Sequence, residues 1–304
     1  MDIANLDEFS AGLGFGAVGV GLLLLVYLFV GVGRRRPLPL AGVLIAAGGL
    51  LSIGQTRTVP SPVLVGVLGI AAAAALAALP GVSLWFSFAL ALPFAWAIGF
   101  HGDVVAESWA RVLVMAGASG GAILASRFDN AWRQQAPGLT LLVITAVGMY
   151  ATVPDTELPA VALGVVLPFA VLGWPARVAT LGRPGAAAAV TVLVWAGAVG
   201  AGGRPASMVG LVACVGLIAG NPLGELLLPR AGARVGRWPR QSQIVAMVIS
   251  HTLLVIAASR VVGKASDPVF AVVLGTVLGA IAVLVGAHFR SAPSHRPRQL
   301  DDAP

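Results

Sequence analysis

The sequence predicts an all-α integral membrane protein that crosses the bilayer many times. Apolar residues make up 58% of the chain and charged residues only 10%, whereas a soluble domain usually carries about 25% charged residues. The mean hydropathy is +0.93. The apolar residues gather in runs of roughly 16–23 without strict alternation, which favours membrane-spanning helices over strands.

Eleven apolar segments have about the length of a spanning helix. They cover residues 12–33, 38–54, 60–79, 82–100, 108–126, 138–153, 158–174, 185–201, 206–228, 242–259 and 268–288. The second and sixth are short, as in less tilted or re-entrant segments. We expect one transmembrane domain, 12–288, between disordered tails at 1–11 and 289–304. The acidic start lacks the basic region of a secretory signal, so we expect the first segment to be retained.

Positive charge falls mainly in alternate loops, which predicts the orientation of the chain. With the N-terminus outside, fourteen arginines are cytoplasmic: Arg34, Arg35, Arg36, Arg127, Arg133, Arg177, Arg183, Arg230, Arg234, Arg237, Arg240, Arg290, Arg296 and Arg298. Five basic residues are outside: Arg57, Arg111, Arg204, Arg260 and Lys264. With the acidic residues included, the inner side carries +10 and the outer side −3. The C-terminus is therefore predicted to be cytoplasmic.

The arginine bias and the high alanine, glycine and valine content are typical of a GC-rich bacterial genome. We therefore expect the protein in the cytoplasmic (inner) membrane of a bacterium. The bilayer itself, with anionic lipids on its cytoplasmic side, is the expected partner. Other membrane proteins or a second copy of the chain are further candidate partners. The sequence has no aromatic interleaving or fold signature for nucleic acid.

Two short sequence matches suggest an internal repeat. Leu92–Ala95 in the fourth segment matches residues 167–170 in the seventh, and 112–118 resembles 192–198 in the same order. The two members of each pair lie three segments apart in the chain, so segments four to six and seven to nine would have opposite orientations. Inverted repeats of this kind underlie many secondary transporters. Low-complexity Ala/Val/Gly sequence also produces such matches by chance, so both interpretations stay open.

Polar residues inside a predicted span are candidate functional residues, because burying them in lipid is costly. His251 lies near the middle of the tenth segment and is a candidate for proton relay or substrate binding. The alternative is a histidine that hydrogen-bonds a neighbouring helix. Asn221 and Glu225 flank Pro222 near the cytoplasmic end of the ninth segment. Proline predicts a broken helix there, whose freed carbonyls could join the substrate or proton pathway; alternatively, Glu225 pairs with Arg230 or Arg234.

Acidic residues on the outer side form a candidate vestibule for a cation or a cationic substrate. Asp103, Glu107 and Arg111 follow one another at intervals of four, which places them on one stripe if the segment is helical. Asp155 and Glu157 lie in the next outer loop. Both acidic groups also precede helix starts, where negative charge is favoured by the helix dipole. Vestibule and helix capping therefore remain alternatives.

The cytoplasmic loop from residue 230 to 240 is a candidate contact for anionic lipid. Its basic residues are Arg230, Arg234, Arg237 and Arg240. Such charges can bind lipid headgroups, or they serve only as the topological anchor of the loop.

No motif in the sequence assigns a chemical reaction, a metal or a cofactor. The sequence has no Walker A motif and no H-E-x-x-H or G-x-S-x-G motif, and its one cysteine, Cys214, is expected to be a packing residue. Short loops leave little room for an extramembrane active site. We therefore expect a transporter or flippase-like permease of unknown substrate. The alternatives are an enzyme acting on a lipid-linked substrate at the outer face and a non-catalytic subunit of an envelope complex.

Overall fold

The computed structural model describes residues 6–31, 37–104, 108–132, 137–228 and 239–289. Within these ranges the chain forms twelve α-helices, and its only β-type pairing is an isolated bridge between Leu38 and Ala179. The helices are α1 (Leu6–Val26), α2 (Ala41–Thr56), α3 (Ser61–Leu76), α4 (Leu84–His101), α5 (Ser108–Ala131), α6 (Gly138–Thr152), α7 (Glu157–Val166), α8 (Arg183–Ala201), α9 (Pro205–Cys214), α10 (Gly216–Leu227), α11 (Arg240–Ala257) and α12 (Pro268–His288). A 3-10 turn extends α7, and π-helical turns extend α1 and α11.

Each of the eleven predicted segments is helical, and only the ninth is divided, into α9 and α10. Six helices among the described residues are long and apolar enough to cross a membrane: α1, α4, α5, α8, α11 and α12. The α9–α10 pair, bent by 64°, adds a seventh if it counts as one span. The four other segments, α2, α3, α6 and α7, are apolar but shorter. Helix α1 begins at Leu6, inside the predicted N-terminal tail, whereas residues 290–304 lie outside the described ranges.

Local sequence signals explain where several helices begin and end. The Ser83 hydroxyl accepts a hydrogen bond from the Trp85 N–H, and the Asp267 carboxylate accepts one from the Val269 N–H, so both side chains cap helix starts. Proline occupies the first turn of α3, α8, α9 and α12, where its missing N–H costs nothing. Gly202, with a φ of 55°, ends α8 in the left-handed conformation.

Helix α8 forms the centre of the bundle. Its most apolar stretch is 89% buried, and it packs against α2, α3, α5 and α7. Helices α1 and α12 lie at the periphery, with only 17% of the corresponding stretch buried. Their outward faces carry large apolar side chains such as Leu28, Phe29, Val269 and Phe270. The bundle therefore presents apolar side chains on the outside as well as in the core.

Glycines allow two helix pairs to approach backbone to backbone. In α1, Gly12 and Gly16 face the α7 carbonyls of Val161 and Val165. Helices α10 and α12 meet in the same way at several glycines, including Gly220 and Gly286. A Cβ atom at any of these positions would collide with the backbone of the other helix, so only glycine allows these crossings.

The connecting segments gather at two ends of the bundle. At the first, called the Trp174 end here, hydrogen bonds join Leu38 to Val178, Asp129 to Leu181, and Trp174 to Gln241. At the second, called the Asp155 end, they join Asp155 to Gly200, Thr152 to Ser207, and Gly102 to Trp195. Consecutive segments therefore run in alternating directions between these two ends.

Candidate functional site

The ninth predicted segment is interrupted between Cys214 and Gly216. Gly216 has a φ of 47°, in the left-handed region that side chains with a Cβ rarely adopt. A Cβ atom at this position would also lie 2.8 Å from Nδ1 of His251. Glycine is therefore required here on two grounds. The interruption ends one helix and starts another, which frees backbone carbonyl and N–H groups inside the bundle.

His251 satisfies one of these freed groups. Its Nδ1 accepts a hydrogen bond from the Leu217 N–H at 3.2 Å, in the first turn of α10. Because Nδ1 accepts, the neutral ring carries its proton on Nε2. Nε2 lies 3.0 Å from the Thr145 hydroxyl oxygen and 3.2 Å from the Leu141 carbonyl oxygen. The fully buried His251 ring thus joins α11 to both α10 and α6.

Thr145 hydrogen-bonds a backbone carbonyl on the other side of the interruption. Its hydroxyl donates to the Cys214 carbonyl at 3.1 Å, where α9 ends. The same hydroxyl oxygen is an acceptor for His251 Nε2. Side chains from α6 and α11 therefore close the gap between α9 and α10. We call Thr145, Cys214, Gly216, Leu217 and His251 the helix-break cluster.

The sequence predicts a break at Pro222, and that prediction is wrong in position. Pro222 lies inside the continuous helix α10, and the chain bends six residues earlier, at Gly216. A proline costs a helix one hydrogen bond, but the positive φ of Gly216 changes the direction of the chain itself. Likewise, Pro93 lies inside the single helix α4, whereas Pro168 lies in the 3-10 turn after α7.

Asn221 joins three helices at the Trp174 end. Its amide nitrogen donates to the carbonyls of Gly286 and Phe289, at 2.9 and 2.6 Å. Its amide oxygen accepts from the Trp132 indole N–H at 3.3 Å. The side chain is buried, and these contacts satisfy carbonyls at the C-terminal end of α12. Asn221 thus fastens α10 to α12 and α5. Glu225, one turn later in α10, is half-buried and engaged in an interaction.

The predicted outer stripe is only partly helical. Asp103 is exposed, has a φ of 56°, and follows the end of α4, whereas Arg111 lies in α5. Asp103 and Arg111 therefore do not share one helix, so the condition for a common stripe is not met between these two residues. Arg111 lies over the ring of Phe100, 5.3 Å from its centroid. Glu107 lies outside the described residues.

The second outer acidic pair has structural partners. Asp155 Oδ1 accepts a hydrogen bond from the Glu157 N–H at 3.1 Å, at the start of α7. Glu157 forms an ion pair with Arg57 at 3.8 Å. The Asp155 carboxylate thus engages the first N–H of α7 from the position before the N-cap residue Thr156. No group of three or more histidine, cysteine or acidic residues in the described ranges is arranged to hold a metal ion.

The predicted lipid-binding loop is described only at its end. Arg240 is exposed and begins α11, whereas Arg230, Arg234 and Arg237 lie outside the described residues. At the same end, Trp174 donates its indole N–H to Gln241 at 3.0 Å. This contact ties the first turn of α11 to the segment after α7.

Asp129 is a buried carboxylate near the end of α5. Its two oxygens accept hydrogen bonds from the backbone N–H groups of Leu181 and Gly182, at 3.2 and 2.9 Å. These groups immediately precede α8, the central helix, so Asp129 also places negative charge at its positive end. A lone acidic residue at the end of an apolar segment was the available signal. Thr145 gave no such signal, because threonine in a helix usually bonds to its own backbone.

Comparison of the chain with known protein families and with curated proteins finds no match.

Proposed function

We propose that the chain is a multi-pass protein of the bacterial cytoplasmic membrane and acts as a flippase-like permease. Six long apolar helices and an apolar outer surface support membrane insertion, because in water that apolar surface would be exposed to solvent. The charge bias of the loops supports an orientation with the Trp174 end in the cytoplasm. The four shorter helices complete the eleven proposed crossings.

The interruption between α9 and α10 is the observation that carries the permease proposal. Discontinuous helices form the substrate sites of many secondary transporters, where half-helix ends face the transported group. Here the Leu217 N–H, in the first turn of α10, is bonded to His251. We interpret the described conformation as the closed state of the proposed permease. The hydrogen bonds of the helix-break cluster hold it closed.

Opening would require α10 to swing about Gly216. The bonds between His251 and Leu217, and between Thr145 and Cys214, would then break. A net hydrogen bond is worth about 0.5–1.5 kcal/mol, so these two bonds form a modest part of the barrier, to which the Asn221 contacts of α10 with α12 and Trp132 add. Glycine at position 216 supplies the conformational freedom for this motion.

The helix packing agrees only in part with the proposed inverted repeat. If α4, α5 and α6 correspond to α7, α8 and α9, some contacts have a counterpart under exchange, whereas the α6–α7 and α8–α9 contacts have none of similar extent. Helix α4 packs on α5 as α7 packs on α8, and α5 packs on α9 as α8 packs on α6. The corresponding helices α5 and α8 also pack directly on each other, as they would across a two-fold axis. Such an axis would lie in the membrane plane.

A non-catalytic membrane subunit is the second candidate function. It is favoured by one observation: both ring nitrogens of His251 are engaged inside the protein. In that case the break would be rigid. The enzyme hypothesis has less support, because Asp155 and Glu157 have the structural partners described above.

A lipid-movement assay tests the permease proposal. The purified full chain is reconstituted in liposomes that contain headgroup-labelled fluorescent phospholipids, and dithionite quenching measures how fast lipids cross. We expect the protein to accelerate crossing and His251→Ala to change the rate. His288→Ala is the matched control, because His288 is exposed at the end of α12. Rates equal to those of protein-free liposomes would contradict the proposal.

A further inference from the structure

Two cavities lie in succession between α9 and α12. The first, the basic pocket, lies at the Asp155 end and has a volume of about 440 Å³. Its lining includes Arg204, Ser207, Lys264 and Ser266. The second, the apolar groove, has a volume of about 370 Å³ and lies between α5, the α9–α10 pair and α12. Both volumes fall within the range of about 300–1,000 Å³ that is common for small-molecule sites.

The basic pocket is suited to an anion. Arg204 and Lys264 are both exposed, and neither forms an ion pair within the described ranges. No acidic side chain is part of the described pocket lining. The neighbouring Asp267 directs one carboxylate oxygen to the Val269 N–H, at 2.8 Å, in the first turn of α12. Two cations thus face the cavity, and the negative charge of a phosphate group there would complement them.

The apolar groove exists because α9 and α10 are bent relative to each other while α12 is one continuous helix. Helix α12 packs against both members of the pair, which are bent by 64° relative to each other. One continuous helix fills such a wedge incompletely, and the small residues Ala219 and Gly279 leave the space open. The polar side chain in the lining, Thr276, donates its hydroxyl to its own helix at Val272. The groove therefore offers almost entirely apolar contacts.

The same two helices line both cavities. In α9, Ser207 of the basic pocket precedes Val209 of the apolar groove by two residues. In α12, Pro268 of the pocket precedes Val272 of the groove by one helical turn, about 6 Å along the axis. A basic pocket next to an apolar groove matches a molecule with an anionic head and a hydrocarbon tail.

We propose that the basic pocket and the apolar groove together bind an anionic phospholipid of the outer leaflet. Its phosphate lies between Arg204 and Lys264, and an acyl chain lies along α12 toward Gly279. The groove is also lined by Gly216, so the bound lipid touches the helix break. This inference rests on the proposed membrane insertion, and it names the substrate class of the proposed permease.

Lipid retention in native mass spectrometry tests the site directly. The purified full chain is incubated with equal amounts of phosphatidylglycerol and phosphatidylcholine, and the lipid that remains bound is quantified. The double variant R204Q/K264Q neutralises the pocket. We expect it to lower phosphatidylglycerol retention about thirtyfold, since each of the two basic residues contributes about 1 kcal/mol. R260Q, which changes an exposed cation at the same end but outside the pocket, should retain the lipid as the unchanged chain does.

A second variant tests the groove without touching the charges. A Cβ at Gly279 would meet no atom within 4 Å, so G279L should fill the groove rather than disturb packing. We expect it to lower retention of both lipids. G21L is the matched control, because Gly21 in α1 also faces open space and is not part of the groove. Should G279L elute as an aggregate, G279V replaces it.

The outcomes separate this inference from the proposed function. Unchanged retention in R204Q/K264Q and in the groove variant would overturn the lipid site, even if the liposome assay shows lipid movement. Equal losses in the controls R260Q and G21L would overturn it as well. Selective loss in the site variants, without any lipid movement in liposomes, would retain the site and reject the permease.

Discussion

The imidazole of His251 accepts a hydrogen bond from the backbone N–H of Leu217, 3.2 Å away, across the interruption between α9 and α10. This bond links two residues 34 positions apart. It gives the bent segment a fixed geometry inside an apolar bundle, where an unpaired N–H would be costly. The His251 side chain therefore replaces a missing helical hydrogen bond, and loss of this contact would free the chain at the interruption.

Removing this side chain should destabilise the protein. His251→Ala leaves the Leu217 N–H without its partner and opens a cavity, and an unsatisfied buried group costs about 1–3 kcal/mol. We expect a lower melting temperature in detergent, measured by intrinsic fluorescence. Thr252→Ala is the matched control, because the Thr252 hydroxyl bonds only to its own helix at Val248. Equal melting temperatures for the two variants would contradict the role given to His251.

The position of the break predicts different changes in stability for substitutions at Gly216 and at Pro222. Gly216→Ala should destabilise the protein, because a Cβ at φ 47° is strained and lies 2.8 Å from His251. Pro222→Ala should have little effect or stabilise, because position 222 lies inside a continuous helix. Gly54→Ala, in open space on α2, is the control. Urea or thermal unfolding distinguishes them, and a larger loss at position 222 than at 216 would contradict this placement.

Asn221→Ala should loosen the contact between α10 and α12. The variant leaves the Gly286 and Phe289 carbonyls and the Trp132 indole N–H without their partner. We expect a loss of about 2–4 kcal/mol in unfolding free energy, with faster hydrogen exchange at the end of α12. Asn130→Ala, at an exposed site on α5, should change neither quantity. Unchanged exchange at the end of α12 would argue against the fastening role of Asn221.

The positions of the helices were predictable from the sequence, but the geometry of the site was not. Apolar runs alone located all eleven helical segments, because hydropathy is a local property. The break at Gly216 gave no local signal among 39 glycines, and Pro222 suggested the wrong position. The contacts of His251 come from residues 34, 106 and 110 positions away, so only the fold brings them together. The same is true of Asp129, whose N–H partners follow it by more than 50 residues.

The proposed orientation can be tested with single cysteines. In a C214S background, Ser266→Cys reports on the Asp155 end and Asn130→Cys on the Trp174 end; both side chains are exposed. An impermeant maleimide added to spheroplasts should label position 266, whereas position 130 should require permeabilisation. Labelling at both positions in intact spheroplasts would reject the proposed crossing pattern, and the reverse labelling would invert the orientation.

The water accessibility of Cys214 in native membranes tests the central claim, a moving helix break, most directly. Cys214 is the only cysteine of the chain and is fully buried at the end of α9. Methanethiosulfonate reagents react with thiolates in water, so modification, followed by mass spectrometry, reports opening of the break. We predict slow but complete modification of the unchanged chain and at least about tenfold faster modification of His251→Ala, as loss of about 1.4 kcal/mol from the closed state implies. A Cys214 that stays unmodified in both proteins, yet reacts fully after denaturation, would show a rigid break and contradict the permease account.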